Sequence, residues 1–203
     1  LPKAKPIYYS DVLARFKADE NYTPLSYEVN NISYRFKTGN LGLRSISFAE
    51  EQGKLIGIMG ASGAGKTTLL NVLSGIENPT EGEVLINGLN LHSQSEELKG
   101  IIGFIPQDDL LIEELTVFEN LYYNAKLCFK DKTDTEVRDL VDKTLLLLGL
   151  IDQKDLKVGS PLNKMISGGQ RKRLNIALEL IREPSILFVD EPTSGLSSRD
   201  SEN

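Results

Sequence analysis

Nine residues of this sequence, Gly60 to Thr68, read GASGAGKTT and have the types and spacing to hold phosphate groups. They fit the pattern G-x-x-x-x-G-K-[ST]. The glycines let the backbone turn tightly and bring N–H groups up to phosphate oxygens. Lys66 would place an ammonium charge on the β- and γ-phosphates, and Thr67 would offer a hydroxyl to Mg²⁺. The residues predicted to bind a nucleoside triphosphate are Gly60, Ala61, Ser62, Gly63, Ala64, Gly65, Lys66, Thr67 and Thr68.

A phosphate loop of this kind needs a strand before it and a helix after it. Leu55–Met59 is a continuous apolar run, which predicts a buried parallel strand that leads into the loop. Thr68–Leu73 can form the helix that leaves the loop, and the N-terminus of that helix would then face the phosphates.

A second candidate lies at Ile186–Glu191, where four apolar residues are followed by two carboxylates. Ligands of α/β proteins bind at the carboxyl ends of the strands, where Asp190 and Glu191 are expected. We predict that Asp190 holds Mg²⁺ through water and that Glu191 polarises the water that attacks the γ-phosphate. The alternative is a solvated acidic turn after a strand.

A third candidate, Ser167–Gln170, reads SGGQ and begins a helix rich in Arg and Lys. A serine hydroxyl, glycine amides and a helix N-terminus together predict a second anion site. A chain with one phosphate loop does not need a second site for the same triphosphate. This site would therefore bind the nucleotide of another subunit. The alternative is that Ser167 is only the N-cap of its helix.

The remaining pattern predicts an α/β protein. Alternating residues from Tyr27 onwards and a tight Asn87-Gly88 turn indicate an N-terminal antiparallel β subdomain. The buried strands at Ile101–Ile105 and Ile186–Val189 favour a mostly parallel core sheet. Helices predicted at Thr116–Leu127 and Thr133–Leu148 form an inserted helical subdomain, at about residues 110–166, and a third helix runs from Gly168 to before Pro184. Residues 1–26 are predicted to be a linker or lead-in, and residues 27–203 one domain.

Composition narrows the classes of partner. The 203 residues carry a net charge of −6 and a pI near 5.0, which argues against a nucleic-acid partner. Cys128 is the only cysteine, so no intrachain disulfide can form. No apolar run approaches the ~20 residues of a membrane helix.

Because the sequence starts without Met and stops among polar residues, we expect it to be a piece of a longer protein.

These motifs, in this order and spacing, resemble the nucleotide-binding domain of ABC transporters. The resemblance runs from Tyr27 to the end, and Ser167–Gln170 before the acidic strand is its most specific part. Three stretches are similar to the G (white/pigment) subfamily and its bacterial relatives. They are Pro106–Asp109, Leu115–Leu121 and Ser167–Arg173.

The resemblance implies a role for each matching residue. Gln107 would be the glutamine that reaches Mg²⁺ and the attacking water. Ser167, Gly168, Gly169 and Gln170 would bind the ATP held by the opposite subunit. Phe36 would stack on adenine, with Tyr34 as second choice and core packing as the alternative for Phe36. Ser194–Ser198 would be the D-loop at the dimer interface.

Two departures from the family pattern affect the expected activity. Ser197 stands where the D-loop usually carries Asp. The family's switch histidine is expected well after Glu191, and the sequence ends first; its only histidine, His92, is expected on a solvated surface loop. We therefore expect this piece to bind nucleotide better than it hydrolyses it.

The resemblance implies an ATP- and Mg²⁺-dependent ATPase that dimerises around ATP and powers transport, at the cytoplasmic face of a membrane. Its partners would be a second such domain, identical or homologous, and a transmembrane domain in the same chain or in a separate subunit. Two alternatives stay open: a soluble ABC-type ATPase that acts as a mechanical clamp on DNA or ribosomes, and a nucleotide sensor without turnover. The transported substrate and the direction of transport are not encoded in these residues.

Overall fold

The computed structural model describes residues 24–160 and 165–191, and the chain divides into two compact units, residues 1–98 and residues 99–203. The predicted lead-in lies outside the described residues except for residues 24–26. The predicted D-loop, Ser194–Ser198, lies outside them entirely.

The first unit is built on a four-stranded antiparallel sheet in the order β2-β1-β3-β4. The strands are β1 (Ser26–Arg35), β2 (Leu41–Glu51), β3 (Glu81–Ile86) and β4 (Leu89–Asn90). Apolar side chains from one face form the core of this unit. Val29, Ile32, Val84 and Ile86 are at most 1% exposed. The predicted Asn87-Gly88 hairpin turn is confirmed, with φ angles of 50° and 78° as a type I′ turn requires.

Helix α1 (Lys66–Leu73) leaves the phosphate loop, so the predicted helix is confirmed and begins two residues earlier than expected. The predicted strand at Leu55–Met59 is wrong. The segment is irregular, and Leu55 and Met59 are 98% and 94% exposed. An apolar run forms a buried strand only when neighbouring strands take up its backbone hydrogen bonds. Among the described residues, no strand pairs with this segment.

The second unit contains a parallel pair, β5 (Ile102–Ile105) and β6 (Ile186–Val189). Both predicted strands are therefore present, but β6 is not buried as predicted, because Leu187 is 37% exposed and the other three residues are only partly buried. The expectation of a mostly parallel sheet is not met among the described strands, because this is their one parallel pair. The periodicity of a four-residue apolar run identifies a strand but says nothing about how many parallel neighbours it finds.

Three helices complete the second unit: α2 (Val117–Cys128), α3 (Asp134–Leu147) and α4 (Gly168–Leu180), with a short 3₁₀ turn at Ile151–Gln153. Each helix begins with a capping box, in which Thr116, Thr133 or Ser167 is the N-cap. The three helices share one buried cluster. Its fully buried members include Val117, Leu121, Val137, Val141, Leu145, Leu174 and Ala177. None of the described helices is long and apolar enough to cross a lipid bilayer.

His92 is half-buried rather than solvated, so the prediction of a solvated histidine is wrong. Its Nε2–H donates to the backbone carbonyl of Glu77 at 3.0 Å, and its backbone N–H donates to the Asn90 side chain. Burial lowers the pKa of the His92 imidazole below its usual 6.5, while hydrogen bonds to the backbone of Glu77 and Val72 raise it by less.

We predict that His92 makes the protein less stable as the pH falls through 6.5. Because the folded-state pKa is lowered, the unfolded chain takes up the proton first, so the free energy of unfolding decreases from pH 6.5 down to the folded-state pKa. In urea titrations from about pH 7.5 to about pH 5, a His92→Gln variant should lose less stability than the parent. An equal loss in both would contradict this.

The shared core of the helices can be tested with two leucines of α2. Leu121 is fully buried and Leu127 is 80% exposed. Leu121→Ala should lower the free energy of unfolding by about 2–5 kcal/mol, because it removes buried methyl groups and leaves a cavity. The matched Leu127→Ala should change it by no more than about 0.5 kcal/mol. Urea unfolding followed by circular dichroism measures both, and similar losses would show that the core has been assigned wrongly.

Candidate functional site

The candidate residues fall into two groups, one in each unit. The phosphate loop and Phe36 belong to the first unit. Gln107, Ser167–Gln170, Asp190 and Glu191 belong to the second.

The phosphate loop is curled around the ammonium group of Lys66. Lys66 Nζ donates to the backbone carbonyls of Gly60 and Ala61, each at 3.0 Å. Gly63 and Gly65 have φ angles of 75° and 89°, in the left-handed region that favours glycine, and they allow this tight path. The backbone of the loop thus holds the Lys66 ammonium group. Phosphate oxygens of a ligand could replace the two carbonyls as its hydrogen-bond acceptors.

The start of α1 adds further phosphate-binding groups. Gly65 is the N-cap of α1, and no side chain caps the helix. The N–H groups of the first turn therefore lack a side-chain acceptor and can donate to an anion. Thr67 is exposed on this turn, so its hydroxyl is accessible to a metal ion. The donor set of one hydroxyl beside an anion site suits Mg²⁺, which binds through few protein oxygens together with phosphates and waters.

Phe36 follows β1 directly and is 42% exposed. The ring stands edge-to-face against Tyr34, with 5.2 Å between centroids and 89° between planes. The alternative of core packing is therefore not favoured, since a large part of the Phe36 ring faces solvent, as a ring that stacks on a base must.

Gly42 in β2 connects Phe36 with the phosphate loop. A Cβ atom on Gly42 would lie 2.8 Å from Cε2 of Phe36, which is too close, and a Cβ on Gly65 would lie 3.2 Å from the Gly42 carbonyl oxygen. The exposed ring and the loop therefore contact the same short piece of β2. Sequence reasoning missed Gly42, because nothing in the local pattern around it marks a close approach.

In the second unit, the β5–β6 ladder brings three candidate residues to one edge. Ile105 pairs with Val189, and the Asp190 N–H donates to the Ile105 carbonyl at 2.9 Å. Gln107 therefore follows one strand at the edge where Asp190 and Glu191 follow the other. Asp190 is 4% exposed, whereas Glu191 and Gln107 are exposed. Glu191 has a φ angle of 46°, a left-handed conformation that is uncommon for a residue other than glycine and is often found at functional sites.

Ser167 is the N-cap of α4, as the alternative interpretation expected. Its Oγ accepts from the Gln170 N–H at 3.1 Å, and its own N–H donates to Gln170 Oε1 at 2.7 Å. The cap uses one acceptor site of the hydroxyl, so the hydroxyl hydrogen can still be donated to an anion. Gly168 begins α4, and no acidic residue occupies its first turn. The N-cap and anion-site interpretations of Ser167 are therefore compatible.

The side chains of α4 also hold the segment that contains Gln107, which sequence reasoning did not predict. Arg171, Lys172 and Asn175 are 5%, 8% and 2% exposed, and all three make hydrogen bonds to residues 106–110. The available signal was a basic run in a helix otherwise rich in apolar residues, together with Asp109.

No group of three or more His, Cys, Asp and Glu side chains within residues 24–160 and 165–191 is placed to hold a metal ion. The predicted Mg²⁺ ligands are of a different kind, a hydroxyl, an amide and a carboxylate, and belong to different segments of the chain.

Comparisons with known proteins agree with this set of motifs. Residues 43–194 match the family described as ABC transporter. The chain is 40% identical over 204 residues to ABC transporter G family member 23 of Arabidopsis thaliana, and 40% identical over 194 residues to the ABC transporter ATP-binding protein/permease wht-3 of Caenorhabditis elegans. These alignments cover 97% and 90% of this chain, but only 32% and 31% of the two relatives, so the chain spans about a third of their length.

A solved structure shows the same fold. It is that of cbiO1 from Clostridium perfringens, described as part of the ABC transporter complex cbiONQ, with a TM-score of 0.75 and 28% sequence identity. The similarity covers 87% of this chain and 69% of that one, and identifies a phosphate-loop NTPase fold with mixed α/β content. With the family match over residues 43–194 and G family relatives at 40% identity, the chain belongs to the ABC transporter family as an ATP-binding domain of the G subfamily type.

Proposed function

We propose that this domain binds ATP with Mg²⁺ and hydrolyses it to power transport by the protein that contains it. The observation that carries the proposal is the phosphate loop of the first unit. In it, the Lys66 ammonium is held at the opening by two backbone carbonyls, beside the uncapped start of α1. ABC family membership and the names of the relatives support coupling to transport.

The chain's residues have separate roles in this proposal. Lys66 and the N–H groups of residues 60–68 bind the β- and γ-phosphates, and Phe36 stacks on the adenine. Thr67 of the first unit and Gln107 and Asp190 of the second would hold Mg²⁺, which would neutralise charge on the phosphates. Glu191 accepts a proton from the attacking water, for which its exposed carboxylate is accessible.

The proposal includes a second ABC domain, because Ser167–Gln170 offers an anion site that the chain's own phosphate loop does not need. Two copies, or this chain and a homologous one, would enclose two ATP molecules. The relatives named as a G family transporter and a permease favour a transmembrane domain as the further partner, and hence a location at the cytoplasmic face of a membrane. Because the family's switch histidine is expected after Glu191 and the only histidine in residues 1–203 is His92, we expect these residues alone to bind ATP better than they hydrolyse it.

The two alternative functions are less well supported. A clamp on DNA or ribosomes would need a basic contact surface, and the net charge is −6. A nucleotide sensor that does not hydrolyse ATP would not need the Glu191 carboxylate to accept a proton from water.

The proposed function predicts different effects for two substitutions in the full-length protein. Lys66→Ala should abolish both ATP binding and hydrolysis, because it removes the cation of the phosphate loop. Glu191→Gln should leave ATP binding intact and lower kcat by about 10²- to 10⁴-fold, because an amide cannot accept the proton. Phosphate release and equilibrium binding of labelled ATP measure the two effects. Negligible hydrolysis by both the parent and Glu191→Gln would support the sensor, undiminished hydrolysis by Glu191→Gln would refute the role of Glu191, and unchanged binding by Lys66→Ala would refute the site.

The proposed adenine contact predicts that Phe36 and Gly42 act together. Phe36→Ala should weaken ATP binding by roughly 5- to 150-fold, since stacking of a base on an aromatic ring is worth about 1–3 kcal/mol, whereas Phe36→Tyr should change it little. Gly42→Val should also weaken ATP binding, because its side chain must displace the Phe36 ring. In the Phe36→Ala background, Gly42→Val should have a smaller additional effect. Fully additive effects in titrations with fluorescent ATP would argue against a shared site.

A further inference from the structure

A buried polar contact joins the start of α4 to residues 106–110, which we call the Gln107 segment. The Gln107 segment follows β5, and α4 begins at the Ser167 cap. Both belong to the second unit. Three residues of α4 contribute side chains to the contact: Arg171, Lys172 and Asn175.

The guanidinium of Arg171 forms the strongest part of this contact. Its Nε donates to Asp109 Oδ2 at 2.9 Å, and its Nη2 donates to Asp109 Oδ1 at 3.1 Å. The pairing is bidentate, the geometry that fixes orientation as well as distance. Nη1 also donates to the carbonyls of Val158 and Gly159, so the guanidinium is held from two sides. The Arg171 side chain is only 6% exposed and that of Asp109 is 28% exposed.

Lys172 and Asn175 hold the backbone on either side of Asp109. Lys172 Nζ donates to the carbonyls of Pro106 and Gln107, at 3.3 Å and 3.1 Å. Asn175 Oδ1 accepts from the Leu110 N–H at 3.2 Å. The backbone of the Gln107 segment is thus fastened to α4 at Gln107 itself and at both ends, while the Gln107 residue stays exposed.

The first turn of α4 connects this contact with Ser167. The Arg171 N–H donates to the Ser167 carbonyl at 2.9 Å, as the first hydrogen bond of the helix. A helical turn transmits displacement because its hydrogen bonds and packing resist distortion. A shift of the Ser167 end of α4 must therefore either break buried charged hydrogen bonds or move the Gln107 segment with it.

We propose that Arg171, Lys172 and Asp109 are positioning residues for the ATPase reaction. They fix Gln107 relative to Ser167, so that an anion bound at the α4 N-terminus sets the place of Gln107. This inference rests on the function proposed above, because it takes Gln107 as a Mg²⁺ and water contact and Ser167 as a phosphate contact.

The competing explanation is that these side chains only satisfy buried carbonyls and a buried charge. The two explanations differ in what a lost contact changes. A purely structural contact affects the amount and stability of folded protein, whereas a positioning contact changes turnover by the molecules that remain folded. ATP affinity should be spared in both cases, since the phosphate loop and Phe36 belong to the first unit.

The test compares two aspartates of the second unit in the full-length protein. Asp109→Asn weakens the buried Arg171 pair. Asp134→Asn is the matched control, because it weakens an exposed pair with Arg138, in which Arg138 Nε lies 2.7 Å from Asp134 Oδ2. Lys172→Met is a second variant, which removes two hydrogen bonds to the Gln107 segment and keeps the side-chain length. Each is assayed for kcat, ATP dissociation constant, Mg²⁺ concentration at half-maximal rate, and urea midpoint.

We expect Asp109→Asn and Lys172→Met to lower kcat on the order of tenfold to a hundredfold, the effect of misplacing a reacting group. The Mg²⁺ concentration at half-maximal rate should rise, and the ATP dissociation constant should stay within about twofold. Asp134→Asn should leave all three unchanged, and Lys172→Arg should recover part of the lost rate.

Unchanged kcat and Mg²⁺ dependence in folded Asp109→Asn or Lys172→Met protein would overturn the inference. An equal decrease in kcat for Asp134→Asn would overturn it as well. Failure of the proposed function is distinguishable, because in that case Lys66→Ala or Glu191→Gln would hydrolyse ATP as fast as the parent. If those two variants are inactive while Asp109→Asn is fully active, the positioning role alone is wrong.

Discussion

The backbone ladder between β5 and β6 is the constraint on which the candidate residues of the second unit depend. It aligns Ile105 with Val189, and the hydrogen bond from Asp190 N–H to Ile105 extends it by one residue. Because both strands end together, Gln107 and the two carboxylates emerge at the same edge without any side chain having to bring them there. Helix α4 is tied to this pair, since Glu179 accepts from the Phe104 N–H at 3.3 Å. The chemistry thus depends first on backbone hydrogen bonds.

Features specified by neighbouring residues could be predicted from the sequence. The Thr116 cap, the Asn87-Gly88 turn and the helix after the phosphate loop all follow from contacts within four positions. The prediction of a strand at Leu55–Met59 was wrong, because a buried strand needs neighbouring strands that its own residues do not encode. The Arg171–Asp109 pair joins residues 62 positions apart, so the basic run of α4 does not identify its partner, and Gly42 lies close to Phe36 and Gly65 only through space. The candidate phosphate loop could be recognised in the sequence because its tight backbone path requires glycine at fixed spacing.

Each unit contains a lysine whose ammonium group is held by backbone carbonyls. Lys66 is held by two carbonyls of its own loop, and Lys172 by two carbonyls of the Gln107 segment. The two lysines differ in their exposure to solvent. The phosphate loop is largely exposed, so its ammonium can exchange carbonyls for phosphate oxygens, whereas Lys172 is 8% exposed and has no such access. Lys66 is therefore suited to binding a phosphate, and the buried Lys172 is suited to anchoring the Gln107 segment.

The capping box at Ser167 limits which side chains that position can accept. Helix stability alone would be served by Asp, Asn or Thr, each of which can accept the Gln170 N–H. An anion held at the same turn removes Asp from this set, because a carboxylate repels a phosphate and has no hydrogen to donate. It also disfavours Ala, which can neither cap nor donate. A residue that must accept from the helix and donate to a ligand is confined to a small hydroxyl or amide, so the two requirements together admit fewer substitutions than either does alone.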